Sequence, residues 1–557
     1  MPTRVIDVSS ERNPRLVIAA NKRGKFMALS YCWGPQGKDL LVLNDKTKSA
    51  LLQGSVVESR FARTHREAFV VARALGIKYV WIDALCILQG NAEDWEAESK
   101  KMGQVYNNAY VTVLAGSSAD SRAGFLADRS SPVKPFPMPL DDLSRDQPPF
   151  LFATMPRSQA EGPTRTRGWC FQEAMLSRRL ITFGTEQLSF RCTTETCFEH
   201  TALEVLNGVP LTLESKETPV FHPDRQQLSD QPGGALATRH AVLEHWYVML
   251  VEFTNRRLSN PHDIFACVSS LAQAAAPYLE GSRYLAGLWE TSLVRGLLWR
   301  PSYYGAGEPT VLTRPQPSVL APGPGPVVRA PSWSWAAVEG SIDHLDYEPN
   351  AGEPGITLRG PFPAIPGGGR VRNSVFDNKP GFVRVRPAAR LSQAGQEGVE
   401  DVWSWSNDTR CKPDTLHMPA CELRMCGRIA RAVFSDQQVN VRKWRPRGDW
   451  RPPEQRPHGA DTMHNGRKPV FERALGIYSY GFYLTGEQGK KFAVGLFDVK
   501  GETCQEVLCL QLTEVEGLML REIKGSDGGR KFQRVGLFWL EEKHWFDELE
   551  EVEICLI

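Results

Sequence analysis

The apolar positions of residues 1–125 switch repeatedly between two spacings. "FMALSYCW" (26–33) is a near-continuous apolar run that stops at Gly34-Pro35, and it reads as a strand. Ala68, Val71, Ala72 and Leu75 follow at i, i+3, i+4, i+7, which is one apolar helix face. Thr64 and Glu67 have capping-box spacing at its start, with His65 expected to be exposed between them, and Gly76 is placed to end it in a left-handed conformation. "IKYVWIDALCI" (77–87) reads as a strand covered on both faces, "DWEAESKKMGQVYNNA" (94–109) as a helix, and "YVTVLAG" (110–116) as the next strand. Strand, helix, strand, helix, strand at these lengths predicts a parallel α/β sheet with flanking helices.

The pattern then changes. Residues 126–166 are rich in Pro, Asp and Ser and read as an insertion. "RGWCFQEAMLSRR" (167–179) has helical spacing, and "RLITFGTEQLSFRC" (179–192) has two strands around a turn. We therefore place a first domain at 1–200, a linker at 201–238, and a helical segment at 239–300. Residues 301–557 are expected to be an antiparallel, β-rich region that closes at "VEICLI", with loops at 301–329, 349–370 and 434–468.

Composition narrows the function classes. With 41% hydrophobic and 23% charged residues in 557, the chain is globular rather than disordered. A formal charge of +2 implies no polyanion, and the arginines of "VRKWRPRGDWRPPEQRP" are spaced by prolines, so no nucleic-acid partner is expected. No apolar run is long enough to span a bilayer and no secretory leader is evident, so no membrane partner is expected and the location is predicted to be cytoplasmic. The 12 cysteines then read as reduced thiols. Cys192-x4-Cys197-x2-His200 comes nearest to a metal set but lacks a clear fourth ligand, so neither a metal nor a cofactor is expected.

In a parallel α/β sheet, ligands bind beyond the carboxyl ends of the strands. Those ends deliver Ser30, Trp33 and Gly34, then Asp83 and Gln89, then Ser117, while the helix after Arg167 presents Trp169, Gln172 and Glu173. Each residue also has a structural reading. Asp83 can cap a helix, the indoles can be core, and Glu173 can be neutralised by Arg167, Arg178 or Arg179. Cys86 and Cys170 read as buried thiols rather than nucleophiles.

"ALSYCWG" (28–34), "YVWIDALCILQ" (79–89), "DWEAESKKMGQVYNNAYVTVLAG" (94–116) and "RGWCFQEAMLSRRLITFG" (167–184) resemble, in order, the motifs of the fungal heterokaryon-incompatibility (HET) domain. "PTRVIDV" (2–8) resembles its lead-in, and "APSWSWAAVEG" resembles part of the extension that follows it. The resemblance implies an effector of self/non-self recognition and programmed cell death, with protein partners in an incompatibility pathway and self-association. HET domains are in turn similar at fold level to TIR domains, which implies a TIR-like sheet and brings NAD in as a candidate substrate. By that analogy Trp169-Cys170-Phe171-Gln172-Glu173 has the spacing of a TIR glutamate site, with Glu173 as the candidate catalytic residue and Asp83 as a weaker one. Ser30, Trp33, Gly34, Gln89, Ser117, Trp169 and Gln172 are then candidate ligand contacts. Two readings stand: a glycohydrolase that cleaves the nicotinamide–ribose bond, and a non-catalytic signalling module. The first requires Glu173 to open into a cleft.

Overall fold

The computed structural model describes residues 1–128 apart from 21 and 35–39, the hairpin 136–139/150–153, residues 162–199 with breaks at 186 and 194–195, and 234–302 apart from 280–281. It also describes 311–316, 329–344, 390–391, 423–434, and 479–557 with short breaks. The loops expected at 349–370 and 434–468, and His200 of the Cys/His stretch, lie outside these residues. The chain divides into two compact units. The first is 1–228 with 266–274 and 359–374; the second is 229–265, 275–358 and 375–557.

In the first unit the elements are β1 (Arg4–Asp7), β2 (Arg15–Ile18), β3 (Phe26–Ser30), α1 (Lys48–Gln53), α2 (Arg63–Ala74), β4 (Tyr79–Trp81), α3 (Asp83–Cys86), α4 (Ala92–Ser99), α5 (Met102–Asn108) and β5 (Val111–Leu114). After them come the hairpin β6 (Phe136–Pro139)/β7 (Phe150–Ala153), α6 (Gly168–Leu176), β8 (Arg179–Phe183), β9 (Leu188–Cys192) and β10 (Thr196–Phe198). One eight-stranded sheet runs β10-β9-β8-β5-β3-β4-β1-β2. Its centre is parallel: β3 pairs with β4 and β5, and β5 pairs with β8. β1, β2, β9 and β10 join antiparallel, so the sheet is mixed rather than wholly parallel. For the β1/β2 and β8/β9 pairs the reason is chain length. The links at 8–14 and 184–187 are too short for the crossover a parallel neighbour needs. Every residue of β3 and β5 is buried, as expected of strands covered on both faces.

Local departures have local causes. The strand expected over 77–87 stops at Trp81, and a helical turn follows from Asp83, whose carboxylate accepts the Ala84 amide at 2.7 Å. The helix expected over 94–109 breaks at Lys100–Lys101, where buried Glu98 is held by Thr3 and Lys101. Thr64 and Glu67 form no capping box. The Thr64 hydroxyl accepts from the Gly124 amide, and Glu67 accepts from the amides of Phe125 and Leu126. Their polar atoms tie the loop after β5 down onto α2. Gly76 ends that helix with φ +68°.

In the second unit, α7 (Gly234–Thr254) precedes α8 (Ile264–Ala275), of which 266–274 belong to the first unit. Trp246 and Trp335 both donate to the Gly287 carbonyl, at 3.3 and 3.1 Å, in a core that also buries Trp289, Trp299 and Trp333. The predicted C-terminal strands are present as Leu423–Phe434, Ser479–Gly486, Gly489–Phe497, Glu506–Gln511, Glu516–Lys524, Arg530–Leu540 and Glu551–Leu556. They form an antiparallel sheet whose last strand pairs with Leu423–Phe434 and touches Arg530–Leu540 in parallel.

Gly34 and Gly90 both have positive φ, +74° and +84°. A Cβ on Gly34 would lie 2.1 Å from the Asp120 Cβ, whereas one on Gly90 meets nothing within 4 Å. Gly90→Ala should therefore cost only the conformational strain, about 1 kcal/mol, and Gly34→Ala about 3 kcal/mol or more. Denaturant unfolding of the full chain measures the difference, and equal losses would show that the Asp120 contact does not constrain this loop.

Candidate functional site

The sheet's central strands end in a polar cluster. Ser30, the last residue of β3, is fully buried and its hydroxyl donates to Glu173 Oε2. Glu173 reaches it because α6 starts at Gly168 and turns Cys170, Phe171 and Glu173 inward. The Ser177 hydroxyl anchors the end of this helix by bridging the Glu173 carbonyl and Thr112 Oγ1 on β5, each at 2.6 Å. The Tyr106 hydroxyl of α5 bonds the Leu29 carbonyl at 3.1 Å and also faces the Glu173 carboxyl.

Asp83 occupies the end of β4 beside this group. It accepts from Trp33 Nε1 at 2.6 Å as well as from Ala84, and the Tyr31 hydroxyl faces it. Behind Tyr31 is His65, fully buried rather than exposed, with Nε2 3.0 Å from the Tyr31 hydroxyl and its ring edge-on to the Tyr31 ring. Of the three arginines available to Glu173, the structure selects Arg167 as its electrostatic partner. Arg167 donates to the Tyr31 carbonyl at 3.2 Å and its charge acts on both Asp83 and Glu173. Arg178 instead meets Asn107, and Arg179 meets Tyr110.

The electrostatics follow from this enclosure. Burial, reinforced by the charge of Asp83, raises the Glu173 carboxyl to about 7, against the opposing pull of Arg167, Ser30 and Tyr106. Burial also raises Asp83, opposed by Arg167 and the bonds from Trp33, Ala84 and Tyr31. Arg167 is lowered by burial, but Cys170, Asp83, Glu173 and Tyr31 together raise it above an ordinary guanidinium. Burial pushes Cys86 up to about 12 and Cys170 well above its usual range, which leaves both as thiols, poor nucleophiles. Neutral His65 is held so by burial alone, which lowers it to about 3.

The structure thus brings together Ser30, Trp33, Asp83 and Glu173. Trp33, Asp83 and Arg167 are half-buried, while Glu173 is only 4% exposed. The carboxylate that the glycohydrolase reading requires to open into a cleft lies beneath its neighbours. Gln172 is turned elsewhere, accepting from the Ser270 amide at 3.3 Å. Gln89 bonds the carbonyl of Ile87 at 2.9 Å, within its own loop. Gly34 serves the packing under Asp120; the Ser117 amide bonds the Phe183 carbonyl at 2.8 Å, and half-buried Trp169 packs against the core. Tyr106 and His65 were not singled out as site residues. Tyr106 is one turn of α5 among apolar neighbours, and His65 sits in what reads as a capping segment, so neither spacing signals chemistry.

No group of His, Cys, Asp and Glu among the described residues has the arrangement of a metal site, and no described helix is long and apolar enough to cross a membrane. No curated protein and no solved structure matches the chain. Residues 26–173 match the family model described as "Heterokaryon incompatibility protein (HET)", a span that runs from the first residue of β3 to the enclosed glutamate. The two ends of the matched span are thus the two partners' elements in the Ser30–Glu173 contact; residues 26–173 carry a HET domain, which supports a function related to heterokaryon incompatibility.

Proposed function

We propose that this chain is an effector of self/non-self recognition and programmed cell death, with the Ser30–Asp83–Arg167–Glu173 cluster as the functional centre of a TIR-like HET domain. The observation that carries this is the pair of carboxyls gathered with one guanidinium at the ends of β3 and β4, both raised by burial. A fold in need only of stability is served as well or better by apolar residues there, and perturbed groups of this kind mark functional sites.

The geometry best supports a signalling or protein-interaction module. Glu173, 4% exposed and bonded by Ser30, acts as a pin between α6 and the sheet. Its partners would be proteins of the incompatibility response or further copies of the chain. Cleavage of the nicotinamide–ribose bond of NAD is a second reading, favoured by one observation. Trp33, Asp83 and Arg167 stand half-buried, the indole bonded to Asp83 and the two charges acting on the carboxyl. In that reaction nicotinamide leaves neutral and needs no proton, and a carboxylate can stabilise the oxocarbenium-like transition state.

The pin makes stability depend on pH. Below the ordinary glutamate value of 4.5 the acid is neutral whether the chain is folded or not; its stabilising preference for the neutral form is lost as pH rises through about 7. Stability should therefore fall by roughly 3 kcal/mol across that window. Glu173→Gln should remove most of that slope in unfolding curves taken at several pH values. An unchanged slope in the variant would assign the pH dependence to other groups.

The two readings separate on nicotinamide release from NAD, followed with the chain alone and fused to a clustering domain. The module reading expects no release in either state. Release that drops about 100-fold or more in a folded Glu173→Gln variant would establish the enzyme instead. Release indifferent to that substitution would remove Glu173 from the mechanism.

A further inference from the structure

Five arginines are buried among the described residues, and one of them is treated differently from the rest. Arg4 bonds the Cys86 carbonyl and Asp94, Arg295 bonds Glu244, Arg329 bonds the carbonyls of Ala336 and Val338, and Arg534 bonds Asp498. Arg300, 4% exposed, has its Nε and Nη1 buried without a hydrogen-bond partner. Its Nη2 stands 3.8 Å from Asp343 Oδ2, an ion pair too long to be a hydrogen bond. A guanidinium taken out of water and given no acceptor is strongly unfavourable, so an acceptor is called for.

The strand pairing places a second open donor beside it. Trp299–Pro301 runs antiparallel to Ile342–His344 with Arg300 opposite Asp343, and one step further the Ser302 amide bonds the Ser341 carbonyl at 2.8 Å. Side chains alternate between faces along a strand, so Arg300, Ser302, Ser341 and Asp343 share one face, while Trp299 and His344 take the other. Ser341 is buried, and its hydroxyl also has no hydrogen-bond partner. As diagonal neighbours, Arg300 and Ser341 stand roughly 7 Å apart, a gap that one small acceptor group can bridge. The Asp343 side chain is 39% exposed and marks the edge at which this face meets water.

We propose that this face binds a small carboxylic acid, one carboxylate oxygen accepting from the Arg300 guanidinium and the other from the Ser341 hydroxyl. Charge selects the class. The Asp343 carboxylate is partly in water and leaves Nε and Nη1 open, so a monoanion suffices to complete the guanidinium's surroundings. A phosphate dianion would bring a further negative charge toward Asp343 and toward Glu516, on which the Arg300 charge acts and which Trp539 Nε1 holds at 2.9 Å. A carboxylate offers two coplanar acceptors, which suit a guanidinium and a neighbouring hydroxyl. Donors this deeply buried suit a small molecule rather than the surface of a protein. The site lies in the second unit, uses no residue of the cluster around Glu173 and does not depend on the reading of that cluster.

The test is urea unfolding of the full chain, followed by near-ultraviolet circular dichroism, in sodium acetate, sodium phosphate or sodium chloride at matched ionic strength. Acetate should raise the midpoint saturably above its value in chloride, and phosphate should raise it less. Ser341→Ala removes one donor and should need about ten times more acetate for the same rise. Arg300→Met should abolish the acetate effect. A parent midpoint indifferent to acetate would overturn the proposal and leave water as the acceptor of these donors. So would an equal or larger rise in phosphate, an acetate response unchanged in Ser341→Ala, or one that survives Arg300→Met. The parent and Ser341→Ala decide the matter even if Arg300→Met does not fold.

Discussion

Everything at the ends of β3 and β4 is organised by the cost of taking the Glu173 carboxyl out of water. A carboxylate buried alone in a protein interior is unfavourable by several kcal/mol, and the chain must compensate by neutralising it, bonding it or placing a charge near it. All three devices are present: Ser30 bonds it, Arg167 acts on it, and its raised pKa favours the neutral form. None of these can be removed without another having to change. This links the helix α6, the strand β3 and the segment before Gly168 more tightly than apolar contact would, because hydrogen bonds to a buried acid tolerate little displacement.

The second unit contains a buried charge handled in a different way. Arg534 is fully buried, and Asp498 meets it at 2.9 and 2.8 Å while the carbonyls of Leu297 and Trp299 take further protons and the Trp299 ring lies 3.5 Å away. Four of the guanidinium's five N–H donors thus meet an acceptor, and an indole ring covers it. Such a pair specifies how strands and the preceding loop are joined, and has nothing left over for a ligand. The cluster around Glu173 is arranged otherwise: two carboxyls to one arginine, with its outer members half-buried. The contrast between a closed ion pair and an unequal one within the same chain is what separates structural use of buried charge from the arrangement proposed here for function.

Much of this could be read from the sequence, and the parts that could not share a cause. Apolar spacing located β3, β5, α2 and the C-terminal strands, since burial on one or both faces leaves a periodic trace. It overran at 77–87 because apolar residues continue through a helical turn that begins at Asp83. The parallel order read for the strand–helix–strand–helix–strand run is present in β3, β4 and β5. In the site, Ser30, Asp83 and Glu173 were legible as polar residues in apolar surroundings. Tyr106 and His65 were not, because their hydroxyl and imidazole atoms act across the sheet on residues far away in the chain. Tyr31, though next to Ser30, works with His65 for the same reason.

Burial by itself does not choose between a pin and a catalyst, because the two differ in what the neutral acid can do rather than in where it sits. A pin needs only to stay protonated and bonded; it is best left covered, and its value to the protein is the rigidity of α6 against β3. A catalyst needs the same acid to exchange its Ser30 bond for one to a ligand, which costs about one hydrogen bond and is repaid only if the ligand brings hydroxyls of its own. The residues that would have to yield are Trp33 and Arg167, both half-buried, with Trp33 bonded to Asp83 and Arg167 bonded to the Tyr31 carbonyl. Breaking the first strips a donor from Asp83 at the moment a sugar hydroxyl could replace it. The exchange is therefore nearly balanced for a polyhydroxylated ligand and strongly unfavourable for an apolar one, so the enclosure itself acts as a filter on what the cluster can admit.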